Sequence, residues 1–191
     1  TELNDIQLIG QTYSNVTVLL NVGGVVDTSF FGQINKAAND PDGDQPIDGL
    51  LLVSQGGQET GTVVADVLDG DVNPSGKLVD TWASSYSLYP ASATFGANDG
   101  KPLLEEYSEG IYVGYRYFDS FAKTLRTDAL DYPFGYGLSY SDFQIATQSV
   151  KADGASVSVK ARVTNVGTKA SGKEVVQVYF SAPAGSLDKP Y

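Results

Sequence analysis

The 191-residue chain contains no cysteine, no methionine and no histidine. Without cysteine there is no disulfide framework, no thiolate nucleophile and no zinc–thiolate centre. Without histidine, a Ser-His-Asp triad, an imidazole base and imidazole-ligated metals are excluded. Catalysis by these residues would rest on carboxylates, hydroxyls, lysine, tyrosine or a borrowed cofactor. Basic residues are scarce too: 12 Lys and Arg stand against 23 Asp and Glu, a formal charge of -11. That excess argues against nucleic acid as a partner, because phosphates demand Lys and Arg, and against an anionic membrane surface. Long apolar runs are also missing. The longest, Val16 to Val26, is interrupted by Thr17, Asn21, Gly23 and Gly24, and it falls well short of the roughly 20 residues of a membrane span. The first residues are polar, with no basic start and no apolar signal core. Either a signal was removed or this is a piece cut from a longer chain, and the abrupt ending Lys189-Pro190-Tyr191 favours the expectation of a piece.

The charge is unevenly spread. Residues 1–100 hold 13 acids and only Lys36 and Lys77 as bases, whereas residues 101–191 hold 10 of each, an asymmetry that is a mild domain signal and is equally the solubility surface of an acidic protein. In the first half, helix and strand patterns alternate. Glu2 to Gln11 reads as a helix with Leu3, Ile6 and Ile9 or Gly10 on one face. Val16 to Asn21 is a β-branched run suited to a strand buried on both faces. Thr28 to Ala38 reads as a helix capped by Asp27 or Thr28, with Phe30, Phe31, Ile34, Ala37 and Ala38 as its apolar stripe. Leu50 to Val53 is a second strand. Gln58 to Leu68 is a third helix with Val63, Val64, Val67 and Leu68 inward, and Gly70 is placed to end it in the left-handed conformation. Lys77 to Thr81 is a further candidate strand. Such alternation predicts an α/β fold, a mostly parallel sheet flanked by helices. After Thr81 the character changes. The segment Tyr107 to Tyr140 carries seven Tyr and three Phe. Beyond Ser141 the pattern is all-β: Val157, Val159, Ala161 and Val163 alternate with polar residues, and Glu174 to Ser181 reads as another strand. These are the opening strands of an immunoglobulin or fibronectin III-like sandwich, too few to close one.

Several groups are weighed as sites. Gly23-Gly24 and Gly56-Gly57 follow strands, where open parallel sheets bind ligands. They lack the spacing of a phosphate-binding loop and read as tight turns. Asp40-Pro41-Asp42-Gly43-Asp44 with Asp48 resembles a calcium loop, but in an EF-hand frame Gln45 would replace the required Gly and Leu51 the closing Glu. Whether Asp40 to Asp44 bind a metal is left open against a solvated acidic loop. Glu105, Glu106 and Glu109 adjoin the aromatic cluster, where a carboxyl can act as a raised-pKa general acid; equally, they suit the surface flank of a hairpin. The aromatic cluster could stack on sugar rings or serve as interdomain packing, with packing the better fit. Asn15-Val16-Thr17 fits a glycosylation sequon but leads into the expected buried strand.

Taken together, several stretches resemble one family. Val18-Leu19-Leu20-Asn21-Val22-Gly23-Gly24-Val25-Val26, Gly57-Gln58-Glu59-Thr60-Gly61 leading to Val64-Ala65-Asp66-Val67-Leu68, and Gly70-Asp71-Val72-Asn73-Pro74-Ser75-Gly76-Lys77-Leu78 occur in that order. They are similar to the carboxy-terminal α/β sandwich domain of family 3 glycoside hydrolases, the β-glucosidase and β-xylosidase family. Tyr107-Ser108-Glu109-Gly110-Ile111-Tyr112-Val113-Gly114-Tyr115-Arg116-Tyr117-Phe118-Asp119 and Tyr132-Pro133-Phe134-Gly135-Tyr136-Gly137-Leu138-Ser139-Tyr140 resemble its later signatures. Val163-Thr164-Asn165-Val166-Gly167 and Val175-Val176-Gln177-Val178-Tyr179 resemble the fibronectin type III-like domain that often follows. The resemblance spans essentially the whole chain.

The resemblance implies a domain division, with residues 1–140 as the later part of the α/β sandwich domain, including the Tyr-rich segment 101–140. Residues 141–191 would be the first strands of a fibronectin type III-like domain. It also implies a retaining, exo-acting β-glycosidase that releases terminal β-linked glucose, or xylose, from oligosaccharides or glycosides. An Asp on a separate barrel domain would be the nucleophile. The usual acid/base Glu lies in a Ser-Gly-Glu-Gly-like stretch upstream of the segment matching residues 2–20. Neither is within these residues, so the chain alone is expected to be inactive, and no catalytic, cofactor-binding or metal residue is assigned. The implied partners are a small oligosaccharide or β-glucoside and the barrel domain. A noncatalytic carbohydrate-binding or adhesion module is the rival reading.

Overall fold

The computed structural model describes residues 1–37, 46–96, 103–104, 107–121, 123–125, 128–168, 170–183 and 185–190. The chain packs as two units. One comprises Thr1–Thr60, Asp80–Pro133 and the last residues from Asp188; the other comprises Gly61–Val79 and Phe134–Leu187.

The first unit begins with helix α1 (Glu2–Thr12), whose acids Glu2 and Asp5 sit in its first turn, where the helix dipole favours negative charge. Strand β1 (Thr17–Leu20) pairs in parallel with β2 (Gly49–Leu52), Thr17 opposite Gly49 and Leu20 opposite Leu52. Helix α2 (Ser29–Ala37) connects them. The Asp27 carboxylate accepts the Ser29 N–H at 2.9 Å, capping the helix start. Side chains fix the register. Asp48 accepts the Val16 N–H at 2.6 Å. The Asn35 carboxamide grips Ile47 from both sides, donating to its carbonyl at 3.1 Å and accepting its N–H at 3.0 Å. Ile47 is thereby held at 1% exposure.

The rest of this unit is organised by aromatics. Strands β3 (Trp82–Ala83) and β4 (Leu130–Tyr132) pair antiparallel, with Trp82 opposite Tyr132 and their rings edge to face. A 3-10 turn at Tyr86–Leu88 brings Tyr89 back onto β3. The Tyr89 hydroxyl accepts the Ala83 N–H at 2.8 Å and donates to the Thr81 carbonyl at 3.1 Å, satisfying a buried backbone. Helix α4 (Tyr115–Phe121) inserts Phe118, 2% exposed, edge-on against Tyr89. Every buried hydrophobic side chain among the described residues belongs to this unit: Val16, Ile34, Ile47, Trp82, Ala83, Phe118 and Ala129.

The second unit is held by polar contacts instead. Its largest element is an antiparallel hairpin, β5 (Phe143–Asp153) and β6 (Ser156–Asn165), turning at Gly154 with φ +56°. Ile145 faces Val163, Thr147 faces Ala161, Val150 faces Val159 and Ala152 faces Val157. The register shift between Thr147 and Ser149 inserts one extra residue, which keeps all of these on one face while Arg162, Lys160 and Lys151 take the other. That apolar face is exposed, with Val150 and Val157 above 60%.

Several expectations need correcting. Up to residue 140 the described residues contain one parallel pair, β1–β2, and one antiparallel pair, β3–β4, rather than a mostly parallel sheet. In β1, Val18 and Leu20 are half-buried while Leu19 is exposed, so the strand is not covered on both faces. Of the four residues expected inward on α3 (Thr60–Leu68), Val64 and Val67 are half-buried and Val63 and Leu68 exposed. Gly70 does end that helix at φ +84°. Lys77 to Thr81 forms no strand; its ladder stops at two bonds, Leu78 N–H to Tyr136 O and Gly135 N–H to Leu78 O, both 2.8 Å. Glu174 to Ser181 carries no ladder either, and of the glutamates expected to flank a hairpin, Glu109 lies in a turn ahead of helix α4 while Glu105 and Glu106 are outside the described residues.

Two outcomes are expected. Tyr89→Phe leaves the buried Ala83 N–H unpaired and should cost about 1–3 kcal/mol in a denaturant melt. Burial raises the Tyr89 pKa above 10.0, the nearby charges of Asp80 and Asp131 adding to it against the opposing Ala83 hydrogen bond. Its contribution to stability is therefore complete below pH 10.0 and lost as pH rises through the folded value. The alkaline loss of stability should accordingly be shallower in Tyr89→Phe. In Gly137→Ala the new Cβ would overlap the Gly76 carbonyl oxygen, a backbone atom that cannot swing aside. A loss of about 1–3 kcal/mol is expected, read by the same melt.

Candidate functional site

At the carboxyl ends of β1 and β2, two glycine-bearing loops lie side by side. The Gln55 carboxamide approaches Gly23 so closely that a Cβ there would sit 3.1 Å from Gln55 Oε1. Ser54 takes a left-handed φ of +56° and Gly57 a φ of +79°, and Thr60 Oγ1 donates to the Gly57 carbonyl at 2.7 Å. These bonds close the turn into α3 and are structural. In the same unit, Thr28, 2% exposed, donates its hydroxyl to Asp131 at 2.7 Å, joining the entry of α2 to β4.

Glu109 lies in a tight turn, with Gly110 N–H bonded to Tyr107 O at 3.2 Å, Tyr112 N–H to Glu109 O at 3.1 Å, and Gly110 at φ +58°. Its Oε2 is buried without a hydrogen-bond partner. Double displacement on a sugar needs two carboxyls about 5–5.5 Å apart; one glutamate in a turn does not make such a pair. Glu105, Glu106 and the acidic loop Asp40 to Asp44 lie outside the described residues. Among those described, no group of three or more His, Cys, Asp or Glu could hold a metal ion. Asp119, on α4, has its carboxyl pKa raised by burial. The sequon residue Asn15 is exposed in the loop ahead of β1.

The aromatic cluster forms a run of ring contacts: Tyr86 to Tyr89, Tyr89 to Phe118, Phe118 to Tyr117, Tyr117 to Phe121 and Phe121 to Tyr112, at centroid separations of 5.1–6.5 Å. Such spacing is that of packed rings. Tyr86, Phe95 and Tyr107 remain exposed on this unit.

In the second unit, the Asn73-Pro74-Ser75-Gly76-Lys77 stretch acts as a brace. The Asn73 side chain accepts from Ser139 Oγ and Tyr140 N–H, each at 2.8 Å, and donates to Ser171 O at 2.9 Å. Ser75 Oγ accepts the Lys173 N–H at 3.0 Å. Lys77 Nζ donates to Gly137 O at 2.6 Å and pairs with Glu174 at 3.3 Å, both side chains largely buried. Tyr140 donates its hydroxyl to Val67 O near the end of α3. The signal that could have exposed it is polar side chains at alternate positions 73, 75 and 77, which share one face of an extended segment.

Residues 4–115 match the family model for the glycosyl hydrolase family 3 C-terminal domain. Beta-glucosidase A of Butyrivibrio fibrisolvens is 40% identical over 97% of the chain, and the beta-glucosidase of Ruminococcus albus 41% identical over 95%. The chain spans only 22% and 17% of the length of these two relatives. Among solved structures, a beta-glucosidase from Paenibacillus barengoltzii is 42% identical with a TM-score of 0.83, covering 99% of this chain and 19% of that one. Beta-glucosidase 3B from Thermotoga neapolitana, solved in complex with alpha-D-glucose, is 38% identical with a TM-score of 0.72, covering 87% of this chain and 21% of that one. With a family-model match over residues 4–115 and relatives 40% and 41% identical across nearly all of it, the chain belongs to glycosyl hydrolase family 3, of which it carries the C-terminal domain.

Proposed function

We propose that these residues are the later half of the α/β domain and the opening of a fibronectin type III-like domain of a retaining, exo-acting β-glucosidase. The whole protein would hydrolyse terminal β-linked glucose from oligosaccharides or glycosides. The single observation that carries this reading is the family match over residues 4–115, backed by relatives about 40% identical that are named beta-glucosidases. The boundary near residue 140 is supported by the change from aromatic packing to a hairpin that gathers Ile145, Val150, Val157, Val159 and Val163 on one face, as a sandwich strand pair requires. A barrel domain of the same protein supplies the nucleophilic Asp, and the acid/base Glu lies outside this chain. The role left to these residues is scaffolding: the turns beyond β1 and β2 and the packed rings of the Tyr-rich segment form a rigid wall.

The rival reading, a noncatalytic sugar-binding module, draws on the exposed rings of Tyr86, Phe95 and Tyr107, which could stack on sugar C–H faces. The two are separated by two measurements on this chain alone. Incubated with a chromogenic β-glucoside it should give no turnover above background, and titration calorimetry with glucose or cellobiose should give no binding heat. Turnover would mean the catalytic carboxyls are in this chain; a saturable heat would favour the binding module.

A further inference from the structure

The chain re-enters the first unit at its end. Residues 185–189 are exposed, yet Asp188 and Pro190 lie against the Tyr-rich segment's unit, Pro190 half-buried. The Tyr112 hydroxyl donates to the Asp188 carboxylate, 2.7 Å from each oxygen, and a hydrogen bond to a charged acceptor is among the stronger kinds. Tyr112 is also the terminal ring of the aromatic run. Its ring lies 5.1 Å from Phe121, Phe121 lies 5.1 Å from Tyr117, and Tyr117 packs edge-on against the buried Phe118. Three of those four rings are on α4, a seven-residue helix with no basic residue in its last turn. So short a helix is marginal by itself and depends on packing.

We propose that Asp188 is a latch: by holding the Tyr112 hydroxyl it fixes the Tyr112 ring against Phe121 and so secures the exposed face of α4, while Phe118 and Tyr89 secure the buried one. Residues 188–190 are then a structural strap for the Tyr-rich segment of the same unit. With the latch open, α4 keeps Phe118 in the core but loses the ring that caps its outer side.

Backbone amide exchange in the full chain tests this, because it reads α4 separately from global stability. Asp188→Ala and Tyr112→Phe should each speed exchange of the α4 amides by roughly threefold to tenfold, the range expected for one exposed charge-assisted bond. The double variant should exchange no faster than either single one, since both remove the same contact. Asp188→Asn, whose carbonyl still accepts a hydrogen bond, should lie close to the parent. Unchanged α4 exchange in either single variant, or effects that multiply in the double one, would overturn the latch.

Discussion

The Asn73 carboxamide is the constraint on which the second unit depends. That unit buries no hydrophobic side chain among the described residues, so its shape cannot come from a core. One side chain instead satisfies Ser139, Tyr140 and Ser171, groups 66, 67 and 98 residues away in sequence. Ser75 and Lys77 repeat the pattern at two-residue intervals, and the Lys77–Glu174 pair closes it. Each bond is worth only about 0.5–1.5 kcal/mol net. Their convergence on one extended stretch fixes the order of three otherwise separate segments.

The first unit solves the same problem differently. Seven buried apolar residues and a run of packed rings supply its cohesion, with polar side chains placed where backbone would otherwise be unpaired. Tyr89 does for β3 what Asn35 does for Ile47: a side chain stands in for a ladder partner the short strand lacks. Both units therefore spend their distinctive polar residues on structure. This agrees with the scaffolding role proposed above.

What could be read in the sequence follows from the range of the forces involved. Helices α1, α2 and α3 and strands β1 and β2 were legible to within two residues, because apolar periodicity and capping are local signals. Gly70 was legible for the same reason. Strands β3 and β4 were not, being two and three residues long and defined by pairing across nearly fifty positions. Helix α4 was hidden in a segment where aromatic residues outnumber any periodic pattern. Half of the hairpin was obscured by the bulge between Thr147 and Ser149, which shifts the alternation of β5 by one. The Asn73 brace was legible as a family signature but not as a mechanism, because its three partners are fixed only by the fold. Glu109 stood out in sequence, and the structure leaves it as one carboxyl in a turn.

The central claim is that the residues carrying the family signature in this chain hold it together rather than react. Asn73→Ala in the whole protein tests this most directly, with the melting temperature and kcat/KM on an aryl β-glucoside measured on the same preparation. The account predicts a melting temperature lower by several degrees, from the loss of three hydrogen bonds, with kcat/KM per folded molecule within about twofold of the parent. An unchanged melting temperature with kcat/KM down by about a hundredfold would contradict it and place chemistry in the brace.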